Sequence, residues 1–491
     1  MKSKFSKVLS ILLSVVLVVS SFYLLYQVIR LNVLPSKFLF PLTIGVVVLD
    51  AIFILLLIYF SKNVVSKIVC IVLTLFICIA SCMGGYYISK TQNVLSSITN
   101  VAKHAKNTVS VIVKESSSIK NKSQLNGVSV GSLRLNEQGS KKVLKELSSE
   151  GIVLNQTEYD SMTALLEAFY NGEVDSIIIN ESSRSQILDM EAYSNFDSNT
   201  RVVYQTSYKV KNNDSATSVS DITSKPFNVL ISGSDTRGGF DENGRSDVIM
   251  IATVNPKTHT ILLTSVPRDF YVTTACDAGD GCMQGALDKI THTGIHGTNT
   301  TKRTVEQLLG IEINYTFKVG FDTVTKLVDT LGGVDVYVEP GYAVHNEYIN
   351  VKEGVNHLYG EEALEYARER YAYTEGDRQR TKNQQQVLMG IVKEATKPSV
   401  ITNYAAIMDT MANTFSTTMS NEEITDLIKY QLNNNPTWKM EQYMVDGTGD
   451  TLMCAELGDA ASVMVPDQST VKMAKDKINA VLAGKSSEDV K

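Results

Sequence analysis

Three long apolar runs crowd the first 90 residues and constrain this chain more than any other feature. Val8 to Ile29 holds no charge, Phe38 to Phe60 holds only Asp50, and Ile68 to Ile88 holds none. An α-helix rising ~1.5 Å per residue crosses a hydrocarbon core of ~30 Å with about 20 residues. Each run can therefore span a bilayer, and a cleaved signal peptide accounts poorly for three in series. The reading is a membrane region over 1–90 with transmembrane helices at 8–29, 38–60 and 68–88. Lys2, Lys4 and Lys7 precede the first run, and Lys62 and Lys67 separate the second from the third. Against Arg30 and Lys37 in the first connection, positive-inside logic favours a cytoplasmic N-terminus. Three crossings then place everything after about Lys90 outside the cytoplasm, as the soluble part of a multi-pass cell-membrane protein. Asp50, in mid-span, is a functional candidate by default; a carboxyl neutralised or paired between packed helices is the expected reading.

The 491 residues are too many for one ordinary domain and point to two soluble domains beyond the membrane region. A net charge of −6, with no helix-turn-helix or zinc-finger pattern, argues against a nucleic-acid partner. Cys70, Cys78 and Cys82 lie in the third apolar run and behave there as small apolar residues. Cys276 and Cys282 flank DAGDG and could close a small disulfide loop; Cys454 has no obvious partner. With no CxxC pair, a zinc or redox framework is not expected.

Thr91 to about Ser110 reads as a helical stalk, within a stalk-and-accessory region over 91–210. VSVIV, GVSVGSL and DSIIIN read as short buried strands, and KKVLKELSSE and MTALLEAFYNGE have helical period. Their alternation predicts a small α/β accessory domain with a parallel-type sheet. Residues 211–225 (KNNDSATSVSDITSK) are polar and poor in large apolar side chains, the composition of a linker. From 226 to 485 the pattern predicts one large α/β domain. FNVLIS, VIMIATV, TILLTSV and VDVYV are strands, FDTVTKLVDTL is a helix stopped by Gly332-Gly333, and Ser420 with Glu423 forms a capping box.

Three patches could carry chemistry. In SGSDTRGGFDENGRSDVIMI a strand ends at Ser232, and Asp235, Arg245 and Asp247 flank a Gly-rich loop before the next strand. Two carboxylates at adjacent strand ends can converge on one hard cation such as magnesium, at the place where α/β folds bind ligands; ordinary turn chemistry is the competing account. In SVPRDFYV, Arg268 and Asp269 directly follow a buried strand, as a structural salt bridge or a ligand contact. In RERYAYTEGDRQRTKNQQQ, Arg368, Arg370, Arg378, Arg380 and Lys382 crowd together. Guanidinium is the planar fork that suits phosphate oxygens, although Glu369, Glu375 and Asp377 also fit a salt-bridged helix face. Arg368 and Arg370, two apart, share a ligand only if the helix ends there or their stems wrap. Asp377, Arg380 and Gln384 fall on one stripe continued inward by Leu388 and Ile391, with Asp377 at the expected N-cap. His292 and His296 in HTGIH lack HExxH and a nearby third ligand, and no Walker loop or nucleophile elbow is present.

In this order the patches resemble the LytR-CpsA-Psr family of Gram-positive cell-envelope proteins. The likeness rests on SGSDTRGG, GRSDVIMIATVNP, ILLTSVPRDFYV, ALDKITHTGIHG, LLGIEINYTFKVGFDTVTKLVDTLGGVDVYV and LYGEEALEYARERYAYTEGDRQRTKNQQQVL, over roughly Pro226 to Lys397. The membrane-plus-accessory arrangement resembles its capsule-associated branch. The resemblance implies an αβα-type domain with a central mixed sheet. It also implies an extracytoplasmic phosphotransferase that moves a glycan polymer, capsular or teichoic-acid-like, from a polyprenyl pyrophosphate carrier to peptidoglycan. Asp235 and Asp247 would hold Mg2+. Arg245, Arg268, Arg368, Arg370, Arg378, Arg380 and Gln384 would bind and polarise the pyrophosphate, with Asp377 as base or orienter. The membrane and capsule assembly proteins are the further partners implied.

Two other readings remain open at this level. One is a non-catalytic sensor, scaffold or regulator of capsule assembly that binds lipid-linked glycan. The other is a hydrolase that uses the same site with water as acceptor.

Overall fold

The computed structural model describes the chain except residues 1, 61–62, 100–103, 135–136, 235–241, 278–281, 398–405, 408–409, 411–414 and 491, and the side chains of 2–6, 60 and 137. The chain forms two compact units. One comprises 1–99, 392–412 and 420–437; the other comprises 100–391, 413–419 and 438–491.

The first unit is built on α1 (Lys2–Leu31), α2 (Ser36–Leu55, extended by a π-helical turn Leu56–Phe60) and α3 (Val64–Thr99). All three are long and apolar enough to cross a membrane. Their polarity is inverted relative to a water-soluble bundle: Phe22, Phe40 and Phe76 face outward, while Ser21, Asp50 and Thr74 are buried. The Ser21 hydroxyl donates to Asp50 Oδ1 at 2.9 Å, so the mid-span carboxyl is paired between packed helices. Close approach of α1 and α3 requires Gly85, because a Cβ there would run into the Tyr23 ring. The helix Asn421–Asn434 starts at the expected capping box, with Ser420 and Glu423 exchanging hydrogen bonds. Lys429 Nζ donates to Asn32 Oδ1 at 2.8 Å, Lys37 Nζ to the Asn433 carbonyl at 2.7 Å, and Thr99 Oγ1 to Asn421 Oδ1 at 2.6 Å. The α1–α2 connection and the end of α3 thus lie at the same end of the bundle, as an odd number of crossings requires.

The second unit opens with a five-stranded sheet. Its elements are β1 (His104–Lys114), β2 (Ser129–Leu133), α4 (Glu137–Ser149), β3 (Asn155–Tyr159), α5 (Met162–Asn171), β4 (Ser176–Asn180), α6 (Arg184–Asp189), α7 (Phe196–Asn199) and β5 (Thr200–Lys211). The strand order is β3-β2-β4-β1-β5. Only β2 pairs parallel with its neighbours; β1 is antiparallel to both β4 and β5, so the expected parallel-type sheet is mixed. The expected stalk divides in the same way. α3 carries it to Thr99, but the β-branched run after His104 pairs along its length with β5.

The larger sheet follows, from β6 (Phe227–Ser234), β7 (Ser246–Asn255) and β8 (Thr260–Val266), the strands expected there. Next come β9 (Tyr271–Thr273), β10 (Leu287–Lys289), a 3-10 turn (Ile290–His296), α8 (Thr298–Leu309), β11 (Tyr315–Gly320) and α9 (Phe321–Leu331). α9 stops where Gly332 takes φ +87°. β12 (Val334–Val338), β13 (Val344–His345), β14 (Asn350–Val351), β15 (Gly354–Leu358), α10 (Gly360–Arg368) and α11 (Asp377–Ala395) complete the middle of the chain. β16 (Phe415–Thr417), β17 (Lys439–Met444), β18 (Gly447–Cys454), β19 (Asp459–Pro466) and the helix Gln468–Leu482 end it.

The order β16-β11-β6-β7-β8-β17 mixes parallel and antiparallel pairs, giving the central mixed sheet of an α/β fold. Leu230, Ile251 and Leu262 of this sheet pack on Val305 and Leu309 of α8 and on Ala474 and Ile478 of the last helix. α11 meets the sheet through Gln385, whose amide donates to the carbonyls of Tyr443 (2.8 Å) and Leu263 (3.4 Å).

Two features join the accessory sheet to the larger one. Cys454, Leu457 and Val463 of the β18–β19 hairpin lie in the same core as Leu165, Phe169 and Ile177, so a C-terminal hairpin completes the accessory domain. Burial in that core, with Asp288 nearby, pushes the Cys454 thiol up to about 12, which leaves it an inert apolar filler. The polar segment 211–225 is also docked: the Thr217 amide donates to the Asn314 carbonyl, Asn314 returns a bond to Thr217, and Ile222 is buried.

Within that segment, burial pushes the Asp214 carboxyl up to about 6, with Lys318 and Lys302 offsetting it only in part. A folded value above the unfolded one makes the contribution full below about pH 4 and lost as pH rises through about 6. Wild type should therefore gain on the order of 1 kcal/mol at pH 5 relative to pH 8 that Asp214→Asn does not. Melting temperatures of both proteins at the two pH values would show it, and identical pH profiles would contradict the burial of this carboxyl.

Candidate functional site

β7 begins with Ser246-Asp247, directly after Arg245, and the 3-10 turn packs across this strand start. The approach is tight: a Cβ on Gly294 would lie 2.5 Å from the Gly244 carbonyl oxygen and 2.6 Å from the Ser246 amide. A buried chain of hydroxyls pins the same point. Ser246 Oγ is 2.9 Å from Ser232 Oγ and 3.0 Å from Thr301 Oγ1, which accepts from Thr293 at 2.9 Å.

Held in this way, Asp247 sits between guanidiniums. Arg268 Nη1 donates to its Oδ1 at 2.9 Å, Thr291 Oγ1 reaches the same oxygen at 3.4 Å, and Arg245 Nε is 3.8 Å away. Burial would raise this carboxyl, but Arg245 and Arg268 outweigh it and hold Asp247 below the usual carboxylate range. Burial would likewise lower Arg268, yet Asp247, Asp269 and Asp377 together raise it. Lys289 Nζ, 3.3 Å from Asp269 Oδ1, adds a further cation.

α11 supplies the other half. Its first residue, Asp377, follows Gly376 at φ +53°. Its carboxylate does not serve as the expected helix cap. Oδ1 lies 2.5 Å from Arg380 Nη2, off the hydrogen-bonding direction. Arg380 is held below the ordinary guanidinium value: burial is the main cause and Arg268 and Arg370 add to it, against Asp377 and Asp247. The cluster thus gathers the guanidiniums of Arg245, Arg268 and Arg380 around two carboxylates, and such planar forks suit oxyanions. Among the described residues, the buried Nε atoms of Arg245, Arg268 and Arg380 have no hydrogen-bond partner.

The structure therefore brings Arg245, Asp247, Arg268, Asp377 and Arg380 together, with Arg370 close enough to act on Arg380. α10 ends at Arg368, and Glu369 turns into extended backbone, the condition under which Arg368 and Arg370 can face one ligand. Arg370 donates to the Tyr371 hydroxyl at 2.6 Å, and Tyr371 is 86% exposed. Arg368 lies over the Phe321 ring at 5.2 Å and 3.7 Å from Glu365, and among the described residues it makes no hydrogen bond or ion pair with the cluster. Gln384 is half-buried one turn beyond Arg380 and makes none of the cluster's contacts. Arg378 points elsewhere, with Nε donating to Asp446 (2.8 Å) and Nη2 to the Gly447 carbonyl (2.9 Å). Asp235 lies outside the described residues.

The amide run behind the arginines is a structural lock. Asn383 donates to the Tyr366 carbonyl at 3.0 Å and to the Tyr373 hydroxyl at 3.1 Å, and accepts from Gln379 at 3.1 Å. Cys276 and Cys282 form the disulfide. His292 bonds Asp288 at 2.7 Å and His296 bonds Glu456 at 2.8 Å. Among the described residues, no group of three His, Cys, Asp or Glu side chains is arranged to hold a metal. The sequence reading left out Thr291, Lys289 and Asp189. The first two lie inside the quoted ALDKITHTGIHG motif, a usable signal; Asp189, which pairs with Arg245, carries none.

A mixed sheet flanked by helices, with an arginine–carboxylate cluster at the start of β7, makes this an α/β protein. The model of the LytR_cpsA_psr family matches residues 192–480, and the chain belongs to that family. It is 30% identical over 241 residues to the polyisoprenyl-teichoic acid–peptidoglycan teichoic acid transferase TagU of Bacillus cereus, covering 48% of this chain and 76% of that one. TagU of Bacillus subtilis is 34% identical over 203 residues, 41% of this chain and 63% of that one. Among solved structures, protein gbs0355 from Streptococcus agalactiae shares 26% identity with a TM-score of 0.46, covering 53% of this chain and 89% of that one.

Because Arg378, among the described residues, pairs with the β17–β18 turn alone, Arg378→Ala should cost less than about 1 kcal/mol of stability. It should also leave anion binding within about two-fold of wild type, measured by titration with pyrophosphate. A loss of binding like that of Arg268→Ala would return Arg378 to the cluster.

Proposed function

We propose that this protein is a membrane-anchored transferase that moves a glycan polymer from a polyprenyl pyrophosphate carrier to peptidoglycan outside the cytoplasm. The observation that carries the reading is the convergence of Arg245, Arg268 and Arg380 around Asp247 and Asp377. The printed names of the Bacillus relatives describe the same class of reaction, with teichoic acid as their polymer. Three helices long and apolar enough to cross a membrane support a carrier that resides in the bilayer.

Phosphoryl transfer depends mostly on positioning and charge stabilisation, so guanidiniums suffice without a covalent nucleophile. In this reading Arg268 and Arg380 bind the pyrophosphate oxygens, and Arg370 closes over them from the loop after α10. An acceptor hydroxyl of peptidoglycan attacks the sugar-linked phosphorus, its proton leaving to a base or to water. The P–O bond to the polyprenyl phosphate breaks and a phosphodiester remains on the acceptor. Asp377, already committed to Arg380, acts as an orienter. Arg368, at the end of α10, and Gln384, inside α11, would reach the ligand from outside the cluster.

The donor chemistry at Asp247 suits magnesium. Its carboxylate is held ionised, and among the described residues only Oδ1 is engaged. Asp247, together with Asp235, would hold the ion, which when bound would neutralise pyrophosphate charge.

Two outcomes are expected of the full-length protein supplied with lipid-linked glycan and peptidoglycan. Arg370→Ala should lower transfer roughly 100-fold or more with its melting temperature unchanged, since among the described residues that side chain bonds the exposed Tyr371 alone. Wild-type turnover in this variant would sink the site assignment. A chelator should abolish transfer and added Mg2+ restore it; activity in excess chelator would remove the metal from the scheme. Carrier cleavage without labelled peptidoglycan would identify a hydrolase instead.

A further inference from the structure

Arg245 is shared between two domains. Its Nη1 makes an ion pair with Asp189, the last residue of α6 in the accessory domain, while Nε faces Asp247. The pair is asymmetric: the Arg245 side chain is 11% exposed and that of Asp189 55%. The carboxylate thus meets a nearly buried guanidinium from its open side, the side from which a ligand anion would arrive. Carboxylate and phosphate oxygens make the same charge-assisted contact with such a fork.

The position of Asp189 is built in. Arg184, at the start of α6, is clamped by Glu181 (2.6 and 2.8 Å) and Asp197 (2.9 Å) and lies over the Phe196 ring at 5.5 Å, and Ile187 is fully buried. On the other side, the segment before β7 is tied to the accessory sheet. Thr108 donates to Glu242 at 2.5 Å, Lys106 lies 3.1 Å from it, and Lys318 donates to its carbonyl at 2.6 Å. The Glu242–Asp247 stretch is therefore held by β1 at one end and by α6 at the other.

We propose that Asp189 is an internal competitor for the pyrophosphate group. It occupies Arg245 while the donor is absent, and donor binding breaks the contact. This rests on the phosphate-binding reading of the cluster and extends it, because the accessory domain becomes a sensor of donor occupancy. Linkage makes the effect reciprocal: whatever weakens the Asp189 contact tightens the donor, and the donor loosens α6 by the same factor.

The test uses the full-length protein in detergent with polyprenyl pyrophosphate as probe, comparing wild type, Asp189→Asn, Asp189→Glu, Arg245→Ala and the Asp189→Asn/Arg245→Ala double variant. Asp189→Asn should bind the probe about five-fold tighter or more and lower KM with kcat unchanged. Asp189→Glu should restore the wild-type value, and the gain should vanish in the Arg245→Ala background. Unchanged or weaker binding in Asp189→Asn, or the same gain without Arg245, would overturn the proposal and leave Asp189 as a structural tie. Arg268→Ala separates this from the parent reading. Probe binding that needs Arg268 but ignores Asp189 defeats only the competition, whereas a wild-type protein that does not bind the probe defeats both.

Discussion

Asp247 is nearly buried at the start of β7 with a guanidinium on either side, and the arrangement of the rest of the site depends on that contact. A carboxylate taken out of water is tolerable only when charges and hydrogen bonds replace its hydration. Arg268 and Thr291 supply the bonds and Arg245 the additional field. The same carboxylate allows Arg245 and Arg268 to stand close together, and Asp377 does the equivalent for Arg380. Each acid is thus shared among cations that would otherwise repel one another. Burial is the main reason Arg380 is held below the ordinary guanidinium value, with Arg268 and Arg370 adding to it.

The backbone makes this packing possible by omission. Gly294 lets the 3-10 turn press against Gly244 and Ser246, where any side chain would force the strands apart and move Asp247 with them. The buried hydroxyl chain from Ser232 to Thr293 then fixes the strand start without adding charge. The amides of Asn383 and Gln385 fix α11 in the same manner, Asn383 bonding the Tyr366 carbonyl and the Tyr373 hydroxyl and Gln385 the carbonyls of Leu263 and Tyr443. Preorganisation of this kind is what electrostatic stabilisation of a transferring phosphoryl group requires.

The accessory sheet is integral to this arrangement. Its core is completed by the β18–β19 hairpin, its β1 strand holds Glu242, and its α6 helix reaches Arg245. A segment with linker composition lies docked beside Asn314, with Asp214 half-buried and its Oδ1 out of solvent, near Lys302 and Lys318. Domains joined through a shared hydrophobic core move less freely than domains joined by a polar tether. A contact such as Asp189–Arg245 can therefore carry information between them.

Much of this was legible in the residues. Length and uniform apolarity determine the three N-terminal helices, β-branched runs determine β6, β7 and β8, and Gly332 and the Ser420–Glu423 box determine helix ends, because each depends on a few consecutive residues. The motif order carried the family, and with it Arg245, Asp247, Arg268 and Arg380. Direction was another matter. Arg378 and Arg380 are two residues apart with the same chemistry, yet one pairs with Asp446 and the other enters the cluster, because α11 docks on the sheet in one rotation only. Asp377 turns from a cap into an ion-pair partner for the same reason. Asp189, the accessory half of the hairpin core and the docking of residues 211–225 left no local signal, because contacts between distant stretches of chain exist only after the elements have packed.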